Sequence, residues 1–237
     1  MNRYRCNGFT LIELMLAMAF LSALLLVIAM TVIQIGNIYH RGITYKDVNQ
    51  AGSSLASELQ RSINMSVPFD LGTKYIEQNA AGNKYGGRLC TGQYSYIWNY
   101  GKVINGNSPG ALKNIYSGST TDEIRFVKII DTRAEYCADP VKPIDKNTAI
   151  ELLGKGQNNL AIHNFTIESP DSTYDRRTRQ RIYNIGFLIG TNDATTLDGT
   201  FDVTKCKTDS DRDSNPSYCA VNQFNILARA GNDDAKQ

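Results

Sequence analysis

The apolar run from Phe9 to Ile35, interrupted only by Thr10, Glu13, Ser22, Thr31 and Gln34, constrains this chain more than any other feature. As a helix rising ~1.5 Å per residue it spans roughly 40 Å, enough to cross a ~30 Å hydrocarbon core with some tilt. A short polar leader, Met1 to Asn7, precedes it and carries Arg3 and Arg5. Basic residues on that side place the leader in the cytoplasm and the bulk of the chain outside. A secretory signal peptide does not fit. Its cleavage site would follow the apolar region, whereas no A-x-A-like site follows Ile35 and the polar-to-apolar junction lies at Gly8/Phe9. An ordinary anchor does not fit either, because it leaves Glu13 unexplained. A carboxylate at the centre of a membrane helix costs ~2.5–3.5 kcal/mol, less near the interface, so Glu13 reads as functional.

Gly8-Phe9-Thr10-Leu11-Ile12-Glu13-Leu14, behind its basic leader, resembles the class III prepilin signal of type IV pilins and type II secretion pseudopilins. The resemblance is carried by residues 3 to 35 and implies three roles. A prepilin peptidase cuts after Gly8 and methylates the new N-terminus at Phe9. Glu13, five residues into the mature chain, helps to dock subunits into a filament. Many major pilins carry a helix-weakening proline about 22 residues into the mature chain, and Met30 stands at that place here.

Beyond the helix lie roughly 170 residues, enough for one domain with its own core. The charge balance is Lys+Arg 25 against Asp+Glu 23. Loss of Arg3 and Arg5 with the leader makes the mature chain formally neutral, so nucleic acid is not an expected partner. The five cysteines, Cys6, Cys90, Cys137, Cys206 and Cys219, are an awkward number for an oxidising compartment. Cleavage after Gly8 removes Cys6 and leaves four. Four allow three pairings, between which sequence does not choose. Cys90–Cys137 with Cys206–Cys219 is favoured because the second pair closes a short polar loop. Zinc is the competing reading, but there is no C-x-x-C pair, and His40 and His163 stand apart.

The helix is expected to continue past the membrane. Val48, Ala51, Leu55, Leu59 and Ile63 recur at three- and four-residue steps between polar residues, which gives one face to bury. Pro68 ends it, so Phe9 to about Met65 forms a single stalk of ~85 Å. Gly36, Gly42 and Gly52 read as weak points, each costing ~1 kcal/mol against Ala. After Pro68 the pattern turns to short strand-like runs: Tyr94–Tyr100, Glu123–Ile130, Leu160–Ile167, Arg181–Ile189, a shorter one around Val203, and Phe224–Ala228. One helix followed by antiparallel strands is an α+β fold, with the apolar face of the stalk packed on the sheet. The division is 1–8 leader, 9–35 transmembrane and filament-core helix, 36–66 amphipathic extension, and 67–237 β-rich globular domain.

Other motifs have the spacing of chemical sites. Gly106-Asn107-Ser108-Pro109-Gly110 fits the G-x-S-x-G nucleophile elbow of hydrolases, with His163 downstream. The elbow needs a backbone N–H after its serine, and Pro109 has none, so a turn is expected. Asp209, Asp211 and Asp213 resemble the start of a calcium loop, but Ser214 and Ala220 stand where an EF-hand needs Gly and Glu. A solvated turn is expected there. A different calcium loop braced by Cys206–Cys219 is the alternative, since some relatives bind calcium. Arg176, Arg177, Arg179 and Arg181 read as a solvated strand edge, and Trp98 with Tyr94, Tyr96 and Tyr100 as core packing.

The run of Glu151-Leu152-Leu153, Leu160 to Ile167 and Arg181 to Ile189 is similar to the larger minor pilins and to J-type minor pseudopilins. The resemblance implies a non-enzymatic subunit of a type IV pilus, or alternatively a minor pseudopilin of type II secretion. A membrane-anchored binding or enzymatic domain that never assembles is the second alternative. The implied partners are other pilin or pseudopilin subunits, prepilin peptidase, the inner-membrane assembly platform, and membrane lipid before assembly. The implied location is the inner membrane, single-pass with the domain outside, then a filament on the cell surface or in the periplasm. No cofactor is expected, calcium being the one candidate.

Overall fold

The computed structural model describes residues 10–80, 83–104, 113–118, 123–154, 159–170, 174–175, 177–199, 204–208 and 218–231. It has the α+β layout: one very long helix, α1 (Leu11–Asn64), then antiparallel sheets. Two short helices, α2 (Leu71–Lys74) and α3 (Gly101–Ile104), flank the first strands, and α4 (Glu135–Ala138) follows the fourth.

The first sheet is a meander of five neighbouring antiparallel strands: β1 (Tyr75–Ala80), β2 (Asn83–Cys90), β3 (Tyr94–Asn99), β4 (Phe126–Ile130) and β5 (Ala149–Glu151). The second has the order β10-β7-β6, from β6 (Leu160–Glu168), β7 (Arg181–Thr191) and β10 (Val221–Ala230). A small hairpin pairs β8 (Leu197–Gly199) with β9 (Thr204–Cys206).

Strand β3 is buried on both faces, and its alternation sorts its side chains between two cores. Tyr96 and Trp98 face α1, in register with Leu89 of β2 and Phe126 of β4. Ile97 faces the other way, with Val127, Ile129, Ile124, Tyr116, Tyr136 and Ile144. Room for the Trp98 indole comes from Gly87 opposite it, where a Cβ would lie 2.4 Å from the ring. Trp98 packs 4.4 Å from Phe165 of β6, centroid to centroid, and Phe187 stacks on Phe224 at 5.3 Å. This aromatic chain joins the two sheets.

The buried face of α1 carries Thr44, Val48, Gly52, Leu55, Leu59, Ser62 and Ile63. Each large aliphatic among them contributes about 1.5–3 kcal/mol by leaving water. The helix also runs alongside β10, the edge strand of the second sheet. Asn222 bonds Asn49, Gln60 Nε2 donates to the Leu227 carbonyl at 3.0 Å, and the Arg229 N–H donates to Asn64 Oδ1 at 3.0 Å. From Asn49 to Asn64 the helix rises about 22 Å, and from Asn222 to Arg229 the strand extends about 23 Å, so the two stay in step. An exposed strand edge invites pairing with another chain, and here polar side chains of α1 occupy part of it.

The end of the stalk is pinned. α1 stops at Asn64, with Met65 as its cap, three residues before Pro68. The Phe69 N–H donates to the Tyr183 hydroxyl at 2.7 Å, that hydroxyl donates to the Phe69 carbonyl at 2.6 Å, and the two rings stack at 4.4 Å. Cys90 is bonded to Cys137 and Cys206 to Cys219, with Cα–Cα distances of 6.3 Å and 5.7 Å. The first bond ties β2 to α4 and the second ties β9 to the residues just before β10.

Two expectations are altered. The run from Glu123 is strand only from Phe126, with Glu123 held in an isolated bridge to Ile115. Gly52 is a packing site as well as a break in helix propensity, because a Cβ there would lie 2.1 Å from the Phe224 ring.

Candidate functional site

The start of α1 is the most chemically loaded part of its apolar stretch. Thr10 is its N-cap, in extended conformation (φ −78°, ψ 148°). Its hydroxyl accepts from the Glu13 N–H at 3.3 Å. In return Glu13 Oε2 accepts from the Thr10 N–H at 3.0 Å and from the Thr10 hydroxyl at 2.9 Å. This reciprocal capping box satisfies donors that a helix start leaves unpaired, and it places a carboxylate at the positive end of the helix dipole. The Thr10-x-x-Glu13 spacing is itself the sequence signature of such a box, so this role of Glu13 was open to reading from the sequence. Gly8 and Phe9 lie outside the described residues.

From Thr10 to Arg41 every residue is exposed except Gly36, which is half-buried. The large hydrophobic residues from Leu11 to Ile38 are 43% to 77% exposed, a bare apolar surface of the kind that marks a membrane or protein interaction site. Between Glu13 and Arg41 there is no Asp, Glu, Lys or Arg. The polar hydroxyls along the run turn inward on their own helix: Ser22 bonds the Met18 and Ala19 carbonyls, and Thr31 the Val27 carbonyl, each at 2.9 Å. Such a surface needs an apolar partner on all sides. By length and composition α1 is able to cross a membrane, and no residue of its apolar window is buried.

A model of the prokaryotic N-terminal methylation motif matches residues 3–32. The chain carries that motif. It is the class III prepilin signal, and it is consistent with a type IV pilin-like family. No curated protein and no solved structure matches the chain. The motif and the bare helix coincide, which suggests a membrane-anchored protein and a substrate of prepilin peptidase.

The remaining candidates are distributed over the domain. His163 is 4% exposed, with Nε2 3.0 Å from the Thr191 carbonyl. Burial pushes its pKa down to about 4, so it is neutral and locked between β6 and β7. Gly106, Ser108 and Gly110 lie outside the described residues, as do Arg176, Asp209, Asp211 and Asp213. Arg177 and Arg179 are exposed on a turn that Asp175 closes by accepting from the Arg177 N–H and the Thr178 hydroxyl, each at 2.8 Å. Arg181 instead lies 5.3 Å over the Tyr174 ring. Trp98, Tyr96 and Tyr100 are fully buried and form core.

Sequence reasoning overlooked the contacts that fix the stalk to the first sheet. Glu58 accepts from the Tyr96 hydroxyl at 3.1 Å and pairs with the Lys128 ammonium, which sits 3.7 Å over the Tyr94 ring. Burial opposes the Glu58 charge, but the hydrogen bond and charge of Lys128 and the bond from Tyr96 hold its carboxyl below the usual range. No local signal in the sequence marks this pair, since 70 residues separate its members.

Proposed function

We propose that this chain is a pilin-like structural subunit, cut by prepilin peptidase after Gly8, held in the inner membrane by residues 9–35, and assembled as a minor component of a type IV pilus. The observation that carries the reading is the joint presence of the methylation motif and about seven turns of bare apolar helix on a disulfide-braced domain. A helix of this kind has two suitable environments, lipid and the packed helical centre of a filament. A subunit that moves from one to the other exchanges apolar surroundings of similar hydrophobicity, so extraction carries little hydrophobic penalty. The size of the domain supports a minor rather than a major role, and no catalytic role is part of the proposal.

The test is recovery of the native protein from membranes and from sheared surface filaments, with mass spectrometry of its N-terminus. A chain beginning at methylated Phe9 and present in filaments at low stoichiometry is expected. Protein that begins at Met1 throughout, or that never leaves the membrane, overturns the proposal. Loss of protein secretion with intact surface pili in a deletion strain would move the assignment to a secretion pseudopilus.

A further inference from the structure

Where the bare helix ends, an aromatic collar begins, and one of its rings comes from the far end of the chain. Ile38 is the last aliphatic residue of the exposed run and is followed by Tyr39, His40 and Arg41, with Tyr45 a turn further on. The Arg41 guanidinium lies 5.7 Å over the Tyr45 ring, and the Tyr39 and His40 rings meet edge to face at 6.1 Å. Tyr218, from the globular domain, packs against His40 with centroids 5.3 Å apart. Its neighbour Cys219 is 2% exposed and bonded to Cys206, so the lip that carries Tyr218 is braced.

Exposure sets these rings apart from the rest. Most described tyrosines are buried or half-buried, among them Tyr96, Tyr100, Tyr116, Tyr136 and Tyr183. Tyr39, Tyr45, Tyr174 and Tyr218 are the exposed ones, at 66%, 39%, 40% and 47%, and three of these four belong to the collar. Tyrosine has an apolar body and a polar tip, which suits the boundary between hydrocarbon and water. The position along the helix fits as well. Leu11 to Ile38 rises about 40 Å, and a bilayer with its headgroup layers is about 40–45 Å thick. With the start of α1 at one face, Tyr39 to Tyr45 emerges in the headgroup layer of the other. The charged groups at this level, Arg41, Lys46 and Asp47 on α1 and Lys205 and Lys207 beside Cys206, are of the kind that headgroups and water solvate.

We propose that the Tyr39–Tyr45 collar and the Tyr218 lip together form a membrane-surface seat. Before assembly the globular domain rests with its Cys206–Cys219 end in the headgroup layer, rather than swinging free on its stalk. The partner is the lipid surface itself. The seat fixes the height and the rotation of the domain above the bilayer, and so sets which face meets an incoming subunit. The inference rests on the proposed membrane insertion of α1.

Depth-dependent fluorescence quenching tests it in the full-length protein reconstituted into phosphatidylcholine–phosphatidylglycerol vesicles. The parent has a single tryptophan, Trp98, which is fully buried in the domain core. Tyr218→Trp adds a reporter on the lip, and Val27→Trp adds one in the apolar run. Lipids brominated near the headgroup are expected to quench the added Tyr218→Trp emission by about half while leaving the parent unchanged, and lipids brominated near the chain end are expected to quench Val27→Trp instead. Quenching of Val27→Trp without added quenching in Tyr218→Trp overturns the seat and leaves membrane insertion standing. Absence of quenching in Val27→Trp overturns the insertion, and the seat with it. Circular dichroism matching the parent, with no free thiol beyond that of Cys6, shows that each variant is folded.

Discussion

The Glu13 carboxylate is engaged by the backbone N–H and the hydroxyl of Thr10, at 3.0 Å and 2.9 Å, and so closes on the start of its own helix. This bears on how a carboxylate is carried toward hydrocarbon, because the bonds replace part of the hydration it gives up. It also separates two roles that a single substitution would merge. Glutamine at this position still completes a capping box, whereas valine does not. Only the charged side chain would form an ion pair with the positive amine that the proposed cleavage would create at Phe9 of an incoming subunit. Glu13→Gln is therefore expected to be cleaved and membrane-inserted, and then to enter filaments as poorly as Glu13→Val. Filament recovery from sheared cells reads this. Normal assembly of Glu13→Gln beside a defect in Glu13→Val would assign the role to capping rather than to charge.

Processing has a simpler dependence. Gly8→Val is expected to leave full-length precursor in the membrane, because the peptidase requires a minimal side chain before the cut. Immunoblotting for the size shift reads it, and mature protein in the variant would contradict the proposed cleavage site.

The Glu58–Lys128 pair predicts a pH dependence with a definite sign. Hydrogen bonding and the Lys128 charge hold the Glu58 carboxyl below its ordinary value of 4.5 in the folded protein. A depressed folded pKa gives stability that is present above the unfolded value and is lost as pH falls through the folded one. Glu58→Gln is expected to cost about 1 kcal/mol or less at neutral pH, since the pair is partly solvated. The gap between parent and variant in urea unfolding should narrow and close as the pH falls below the ordinary value of 4.5 and through the lower folded one. A gap that persists at lower pH would mean that packing, and not charge, makes the difference.

Much of this architecture was legible in the sequence. The stalk was, because Val48, Leu55, Leu59 and Ile63 are large aliphatics at helical spacing and all are buried. Strands β3, β6, β7 and β10 were, because their alternation or continuous apolar run is local. Strands β1 and β2 were not. Gly86 and Gly87 break the pattern of β2, and their purpose is apparent only once Trp98 lies opposite. Burial of Thr44, Gly52 and Ser62 was equally hidden, since it depends on partners such as Phe224 and Thr91 that lie far along the chain. At the helix start Glu13 stood out by its charge in an apolar run and by its place in the Gly8–Leu14 motif. The collar did not, because Tyr218 reaches His40 only through the folded domain.

For the segment between Cys206 and Cys219 the expected outcome is that chelation has no effect. A calcium site at Asp209, Asp211 and Asp213 would instead make the melting temperature of the detergent-solubilised protein fall in chelator. That fall would be absent in Asp211→Ala, and this pair of results would overturn the expectation of a solvated turn in favour of a bound ion.

Two glycines on the stalk give opposite predictions from the same substitution. At Gly42 no atom lies within 4 Å of a built Cβ, so Gly42→Ala meets only the helix preference and is expected to stabilise by roughly 1 kcal/mol or less. At Gly52 the same methyl would stand 2.1 Å from Phe224, whose ring stacks on Phe187 at 5.3 Å. Making room means moving that ring off its stack or shifting α1 away from β10, where Gln60 and Asn64 hold the strand edge. Overpacking of this kind costs about 1–3 kcal/mol, which outweighs the gain of roughly 1 kcal/mol in helix preference. Gly52→Ala is therefore expected to lower stability while Gly42→Ala does not. Urea unfolding of both variants under one condition decides between propensity and packing. A Gly52→Ala variant at least as stable as the parent would show that Phe224 yields without cost, and that the fit between α1 and β10 is looser than the contacts described here.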